Sequence, residues 1–236
     1  MKLALICAMD EELAAVEQQL NCLADQQQSI AGCQFKHYTL GKLDLTTVVC
    51  GIGKVNAALV TQILCSQFNA ELVINVGVAG GVVPWLNFGD VVIASDLVQH
   101  DIDVQAFGLP LGQIPRLDTF SFVADKVTNQ LILNHLELVA PVQVVNGRII
   151  SGDQFIDDAS KVRLLAEQFN ALACEMEGAA IAQVCYLNQV KFAVIRCLSD
   201  RAGQDGEAIH SYSELKDMAA SRAALVIKTL VENLEC

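Results

Sequence analysis

Phe192 to Ile195 is a short, uncharged, partly β-branched run, and Arg196, Ser199 and Asp200 crowd the positions that follow it. Such a run suits a strand buried on both faces, as in the middle of an α/β sheet. The same shape recurs one helix earlier, where Ala171 to Glu177 ends on Glu175 and Glu177. Ligands of open α/β sheets sit beyond the carboxyl ends of the strands, so acids closing two neighbouring strands are expected to converge on one crevice. Glu175 and Glu177 are two apart, which on an extended backbone turns both to one side. Two carboxylates so placed repel unless a cationic or hydroxylic group sits between them, which favours a functional pair over a solvated edge.

Earlier in the chain, Leu3 to Met9 reads as a strand, and Asp10, Glu11 and Glu12 open a helix whose Leu13, Val16 and Leu20 recur at helical spacing. Acid suits a helix start, and a glutamate there is ordinarily solvated; its place just past a strand keeps Glu12 a candidate nonetheless. Phe35 to Leu40 and Leu43 to Val49 form a hairpin about Gly41-Lys42. Gly51-Ile52-Gly53-Lys54 then enters an alanine-rich helix, Val55 to Phe68, without the glycine spacing of a nucleotide-phosphate loop. Leu72 to Val78 is a buried strand running into Ala79-Gly80-Gly81, where absent side chains serve either a ligand's approach to the backbone or a plain turn.

Asp90 to Val98 is a further strand, followed by His100-Asp101-Ile102-Asp103. One histidine beside two acids is thin evidence for zinc, and neither a metal nor another cofactor is expected. Phe107 to Phe120, with Pro110 and Pro115, is a long loop of the kind that often carries function. A helix from Asp125 to Leu138 and a strand from Val142 to Ile150 lead to Ser151-Gly152-Asp153-Gln154-Phe155, whose aromatic either stacks on a flat ligand or packs into the core. Helices are expected over Asp158 to Phe169, Gly178 to Leu187 and Tyr212 to Leu234, the last after a turn-rich Gly203 to His210.

With 53% hydrophobic and 18% charged residues in 236, the chain suffices for one α/β domain over residues 1–236, and no linker suggests a second. A net charge of −12 argues against a nucleic-acid partner, since phosphate backbones are bound through Lys and Arg clusters. The nine cysteines are odd in number and contain no C-x-x-C pair, so they read as core residues of a protein in a reducing compartment, the cytoplasm. The longest uncharged stretch, Leu72 to Gly89, is broken by glycines and Pro84 and fails as a membrane span, while the acids after Leu3 to Met9 rule against a secretory signal.

Seven segments fall in a familiar order and spacing: Ala8-Met9-Asp10-Glu11-Glu12, Gly51-Ile52-Gly53-Lys54, Asn75 to Gly81, His100 to Gly108, Ile150 to Asp153 with Phe155, Glu175-Met176-Glu177, and Arg196 to Asp200. Over nearly its whole length the chain resembles the 5′-methylthioadenosine/S-adenosylhomocysteine nucleosidases of the nucleoside phosphorylase superfamily. The resemblance implies a single-domain, three-layer α/β/α fold with a central mixed twisted β-sheet flanked by helices. It implies hydrolysis of the N-glycosidic bond of methylthioadenosine and adenosylhomocysteine, with 5′-deoxyadenosine a further substrate, in methionine salvage and S-adenosylmethionine by-product recycling.

Residue by residue, the resemblance implies that Glu12 activates water, that Asp200 protonates the leaving adenine and that Ser199 holds Asp200. Glu177 matches the acid bonded to the ribose hydroxyls, with Glu175, Arg196 and Ile52 in the substrate-binding set. Met9 and Met176 line the sugar, Phe155 stacks on adenine, and Ile156 with the backbone of Val78, Ala79 and Gly80 completes the purine side. Tyr212 falls near the alkylthio tail, and Phe107 is donated by the partner subunit of a homodimer. Val78 stands where the family often has serine, and Leu109 where tyrosine is common, which leaves the preferred substrate open, aminodeoxyfutalosine included. The chemistry agrees: a cationic sugar calls for anions near the ring, and water calls for a base. A purine nucleoside phosphorylase and a non-catalytic nucleotide-binding module are the rival readings; presence of both Glu12 and Asp200 argues against the module.

Overall fold

The computed structural model describes residues 1–20, 22–139, 142–201 and 221, with the backbone alone for 135–139, 200 and 201. The expected turn-rich segment after Gly203 and the final helix with Tyr212 lie outside the described residues.

Strands and helices alternate as β1 (Lys2–Cys7), α1 (Asp10–Leu20), β2 (Gln26–Ile30), β3 (Cys33–Leu40), β4 (Leu43–Val49), α2 (Lys54–Ser66), β5 (Leu72–Gly81) and β6 (Val91–Gln99). A 3-10 turn, Gln105–Phe107, precedes β7 (Phe122–Val123), α3 (Lys126–Val139), β8 (Val144–Ser151), α4 (Ala159–Phe169), β9 (Ala171–Glu175), α5 (Gly178–Asn188) and β10 (Lys191–Arg201). The described strands join in one mixed sheet. β1, β4, β5 and β10 run parallel, as do β6, β8 and β9, whereas β6 is antiparallel to β10 and β9 to β5.

Alternation along the strands makes the three layers. In β1, Ala4 and Ile6 face one core, while Leu3, Leu5 and Cys7 face the other. The first core is closed by Ala57, Val60 and Leu64 of α2 and Ala179 to Ala182 of α5; the second by Leu13 and Val16 of α1 and Ile132 of α3. α4 covers β8 and β9 through Val162, Leu165 and Phe169, its start capped by Asp158, which accepts from the Lys161 N–H at 2.7 Å.

One expectation needs correction. β9 and β10 are not neighbours, because β6 and β8 lie between them. Their ends meet through β5, which pairs with both: Gly80 is the partner of Cys174 in β9 and of Asp200 in β10. Half of the sheet thus closes on itself, and Gly80 sits where it closes. β2 is also a strand that periodicity does not reveal. Its Gln26, Gln27, Gln28 and Ser29 are exposed, and it is held by its ladder to β3 at the sheet edge. No described helix is long and apolar enough to cross a membrane.

Candidate active site

A cavity of ≈ 310 Å³ opens at the carboxyl ends of β1, β5, β8, β9 and β10, at the low end of the range for small-ligand sites. Its walls are largely apolar, with Ile52, Phe155 and Ile156 from the loops and Val78, Ala79 and Gly80 from β5. Met9 and Met176 also line it, together with the polar side chains of Glu12, Glu175, Glu177 and Ser199. Both Phe155, half exposed at 50%, and the buried Ile156 line the cavity.

Glu12 departs from the solvated helix starter. Asp10 and Glu11 are exposed, whereas Glu12 turns back over the end of β1 and is 4% exposed. Its Oε2 accepts from the N–H groups of Ala8 at 3.0 Å and Met9 at 3.1 Å, and its Oε1 from Val78 at 3.0 Å. Of the roughly four acceptor positions of a carboxylate, one is left for a ligand or water. Burial raises the Glu12 pKa, opposed by Arg196 and by the three backbone donors. Gly77 makes room for this arrangement, since a Cβ there would lie 2.5 Å from Glu12 Oε1.

β9 stops at Glu175, so Glu175 and Glu177 are not alternate residues of one strand; Glu177 instead caps the start of α5 with φ −131° and ψ −43°. They converge all the same. The cation between them is Arg196, which is 1% exposed and does not line the cavity. It donates to Glu175 Oε2 at 2.5 Å, approaches Glu177 Oε2 to 4.0 Å, and also donates to Asn75 Oδ1 and the Ile195 carbonyl. Burial disfavours its charge, but Glu175, Glu177 and Glu12 outweigh that and hold it cationic. Glu175 is an anchor: besides Arg196 it accepts from the N–H groups of Glu177 and Gly178 and from the Ser151 hydroxyl, tying β8, α5 and β10 together.

Glu177 is less saturated. It accepts from the Gly53 N–H at 2.8 Å, and burial, then the Glu175 charge, push its pKa up to about 7 against the pull of Arg196. The Gly51 to Lys54 loop therefore cradles a carboxylate of the protein. Lys54 is committed as well, to Asp101 at 2.6 Å and Gln99 at 3.0 Å, so the His-Asp segment supplies an ion-pair partner. Among the described residues no group of three or more His, Cys, Asp or Glu side chains is placed to hold a metal ion.

The register of β10 slips between Leu198 and Asp200, leaving Ser199 as the extra residue of a bulge, the usual device for re-aiming a side chain beside a site. Ser199 lines the cavity, and the Asp200 backbone follows at the Gly80 junction. Phe107 is 85% exposed on its 3-10 turn and is not among the cavity-lining residues. The lining adds Ala8, Gln154 and Cys174 to the residues singled out from sequence. Each adjoins a candidate, but Cys174 also belongs to the α4 core and reads from sequence as packing alone.

The sequence profile of the phosphorylase superfamily matches residues 2–232. A 5′-methylthioadenosine/S-adenosylhomocysteine nucleosidase from Geobacillus sp. is 39% identical over 236 residues, 100% of each chain. Among solved structures, the Helicobacter pylori nucleosidase of the same name superposes with a TM-score of 0.94 at 30% identity, covering 99% of this chain and 98% of that one. The native futalosine hydrolase of Helicobacter pylori gives the same values: 0.94, 30%, 99% and 98%.

Proposed function

The chain belongs to the phosphorylase superfamily, as an N-glycosidase of its methylthioadenosine/adenosylhomocysteine nucleosidase family, and on that premise we propose that it hydrolyses these two nucleosides to adenine and the thioribose sugar. Glu12 is the base that takes a proton from water, Glu177 the anion beside the ribose, and Asp200 the acid that protonates adenine. 5′-Deoxyadenosine, which keeps the same adenine and ribose, is a further substrate. The reading places the enzyme in methionine salvage and the clearance of S-adenosylmethionine by-products, in the cytoplasm.

One observation carries the assignment. Glu12 is buried on the cavity wall with three backbone donors on its carboxylate, which leaves about one acceptor position for water. Burial raises its pKa, as a base working near neutrality requires, and each acid–base role contributes about 10²–10⁴ in rate. Bond breaking leaves positive charge on the sugar, which Glu177 opposes across a largely apolar cavity where such an interaction is little screened. The apolar wall of Ile52, Phe155 and Ile156 suits a flat purine and an alkylthio tail.

Water rather than phosphate is the nucleophile. No lysine or arginine is among the described lining residues, whereas Glu12 and Glu177 are. A phosphate about 4 Å from a carboxylate costs on the order of 4 kcal/mol per unit charge at an effective dielectric near 20, roughly a thousandfold. Phe107 closes the site of a partner subunit in a homodimer, which accounts for a phenyl ring 85% exposed on a turn.

The test is incubation with methylthioadenosine with and without millimolar phosphate. Equal adenine release and free methylthioribose support the proposal; a sugar 1-phosphate whose formation follows phosphate concentration makes the protein a phosphorylase. The likeness to the futalosine hydrolase structure adds a second substrate reading, decided by running futalosine in parallel.

A further inference from the structure

We infer that Asp153 is a positioning residue for Glu177: its carboxylate fixes the start of α2 so that the Gly53 N–H is aimed at Glu177 Oε1. The inference rests on the reading of Glu177 as the anion beside the ribose and deepens it.

The first two amides at this helix start part company. The Gly53 N–H points inward to Glu177 Oε1 at 2.8 Å, and the next, that of Lys54, points outward to Asp153 Oδ1 at 2.8 Å. Asp153 is itself held, because its own N–H donates to Asp101 Oδ2 at 3.0 Å. Asp101 returns the connection to Lys54 by accepting from its ammonium at 2.6 Å on Oδ1. Lys54, Asp153 and Asp101 therefore form a closed ring across the three loops that follow β4, β6 and β8.

Gly53 is the hinge between ring and site. Its φ of 99° and ψ of 161° belong to a region open essentially to glycine, which reaches it without steric cost and can as readily leave it, so the inward aim of its N–H is one that neighbours must maintain. A Cβ on Gly53 would stand 3.1 Å from Asp153 Oδ1, which shows how closely the carboxylate is packed on this peptide. Gly53 has no side chain with which to cap α2, and Asp153 supplies that carboxylate from another loop.

The charged and titratable groups facing Glu177 among the described residues are Glu175, Arg196, Glu12 and Cys50. Loss of the Asp153 carboxylate leaves all four in place, and its two consequences for Glu177 have opposite signs. Removing a negative charge favours the Glu177 anion and lowers its pKa. Releasing the Gly53 N–H withdraws a donor from that anion and raises it. An exposed helix cap with no positioning role predicts the first alone.

The experiment compares the full-length protein with Asp153→Ala and Asp153→Asn, following the acid limb of kcat/KM for methylthioadenosine. In parallel, the Glu177 side-chain carbon is titrated by NMR, assigned with Glu177→Gln. Asp153→Ala is expected to move both upward by about one pH unit, so that activity well below the pKa falls about tenfold. Asp153→Asn, which keeps an oxygen acceptor for Lys54 but loses the charge, brings the midpoint back to the original value or slightly below it. A midpoint in Asp153→Ala that is unchanged or lowered overturns the inference, as does an equal rise in both variants. Asp101→Ala opens the ring from the other side and is expected to raise the midpoint too; its titration decides if Asp153→Ala does not fold. Absence of adenine release by the unsubstituted enzyme sinks the functional reading, and the NMR titration still decides the role of Asp153.

Discussion

Arg196 donates to Glu175 at 2.5 Å with side chains 2% and 3% exposed, and through this pair two strands that do not pair in the sheet share one site. A buried ion pair is costly to break, because the remaining partner keeps its charge without compensation. Here the stranded charges would be Glu175 and Glu177 together. Arg196→Met is therefore expected to destabilise the protein by about 3–5 kcal/mol in urea unfolding. Adding Glu175→Gln should recover part of that loss, and strictly additive losses would show that the pair is not coupled.

Gly77→Ala tests the seat of Glu12. The added Cβ would meet Glu12 Oε1 at 2.5 Å, and the flexible carboxylate is what must move. Turnover is expected to fall by about 10² or more while circular dichroism stays unchanged, at a stability cost of about 1–3 kcal/mol. Full activity would mean that the present position of Glu12 is not the working one.

Asp200→Asn keeps shape and an acceptor but has no acidic proton to give. Turnover should drop by about 10²–10⁴ while a transition-state-like inhibitor still binds, read by single-turnover kinetics and calorimetry. A loss of less than about tenfold would remove Asp200 from the acid role.

The pH response of Glu177 has a definite sign. Its folded pKa of about 7 lies above the ordinary 4.5, so between these values the native state holds a proton that the unfolded chain has released. Its contribution to stability is fully present below 4.5 and is lost as pH rises through about 7. In the role proposed for Glu177 the anion is the useful form, so activity runs the other way and kcat/KM should rise through the same midpoint. Glu177→Gln is expected to flatten the stability slope in that window, measured by denaturant midpoints from pH 4 to 8.

On the proposed donation across a homodimer, Phe107→Ala should raise KM roughly tenfold or more, through loss of a phenyl that assembly would bury. Mixing it with Glu12→Ala subunits should restore activity, because one mixed site then has Glu12 from one chain and Phe107 from the other. No rescue on mixing, or a fully active monomer in sedimentation, would count against donation.

The approximate places of most strands, the β3–β4 hairpin, the positions of the described helices and the segment carrying each cavity residue were legible in the order of residues, because periodicity and turn chemistry are local; where β5, β9 and β10 end was not. The acids at Glu12, Glu175 and Glu177 stood out for the same reason, each lying just past an apolar run. Tertiary structure alone decided what those acids do. Glu12 became a buried acceptor because Gly77 on another strand leaves it room, and Glu175 became an anchor because Arg196 takes it. Gly80, in appearance a turn glycine, became the junction where β5 pairs with both β9 and β10. Sequence period shows which face a residue takes, whereas the identity of its neighbours across the sheet is set by pairings between segments far apart in the chain. The polar strand β2 escaped for the complementary reason: backbone hydrogen bonds at a sheet edge hold it, and these leave no mark on the pattern of side chains.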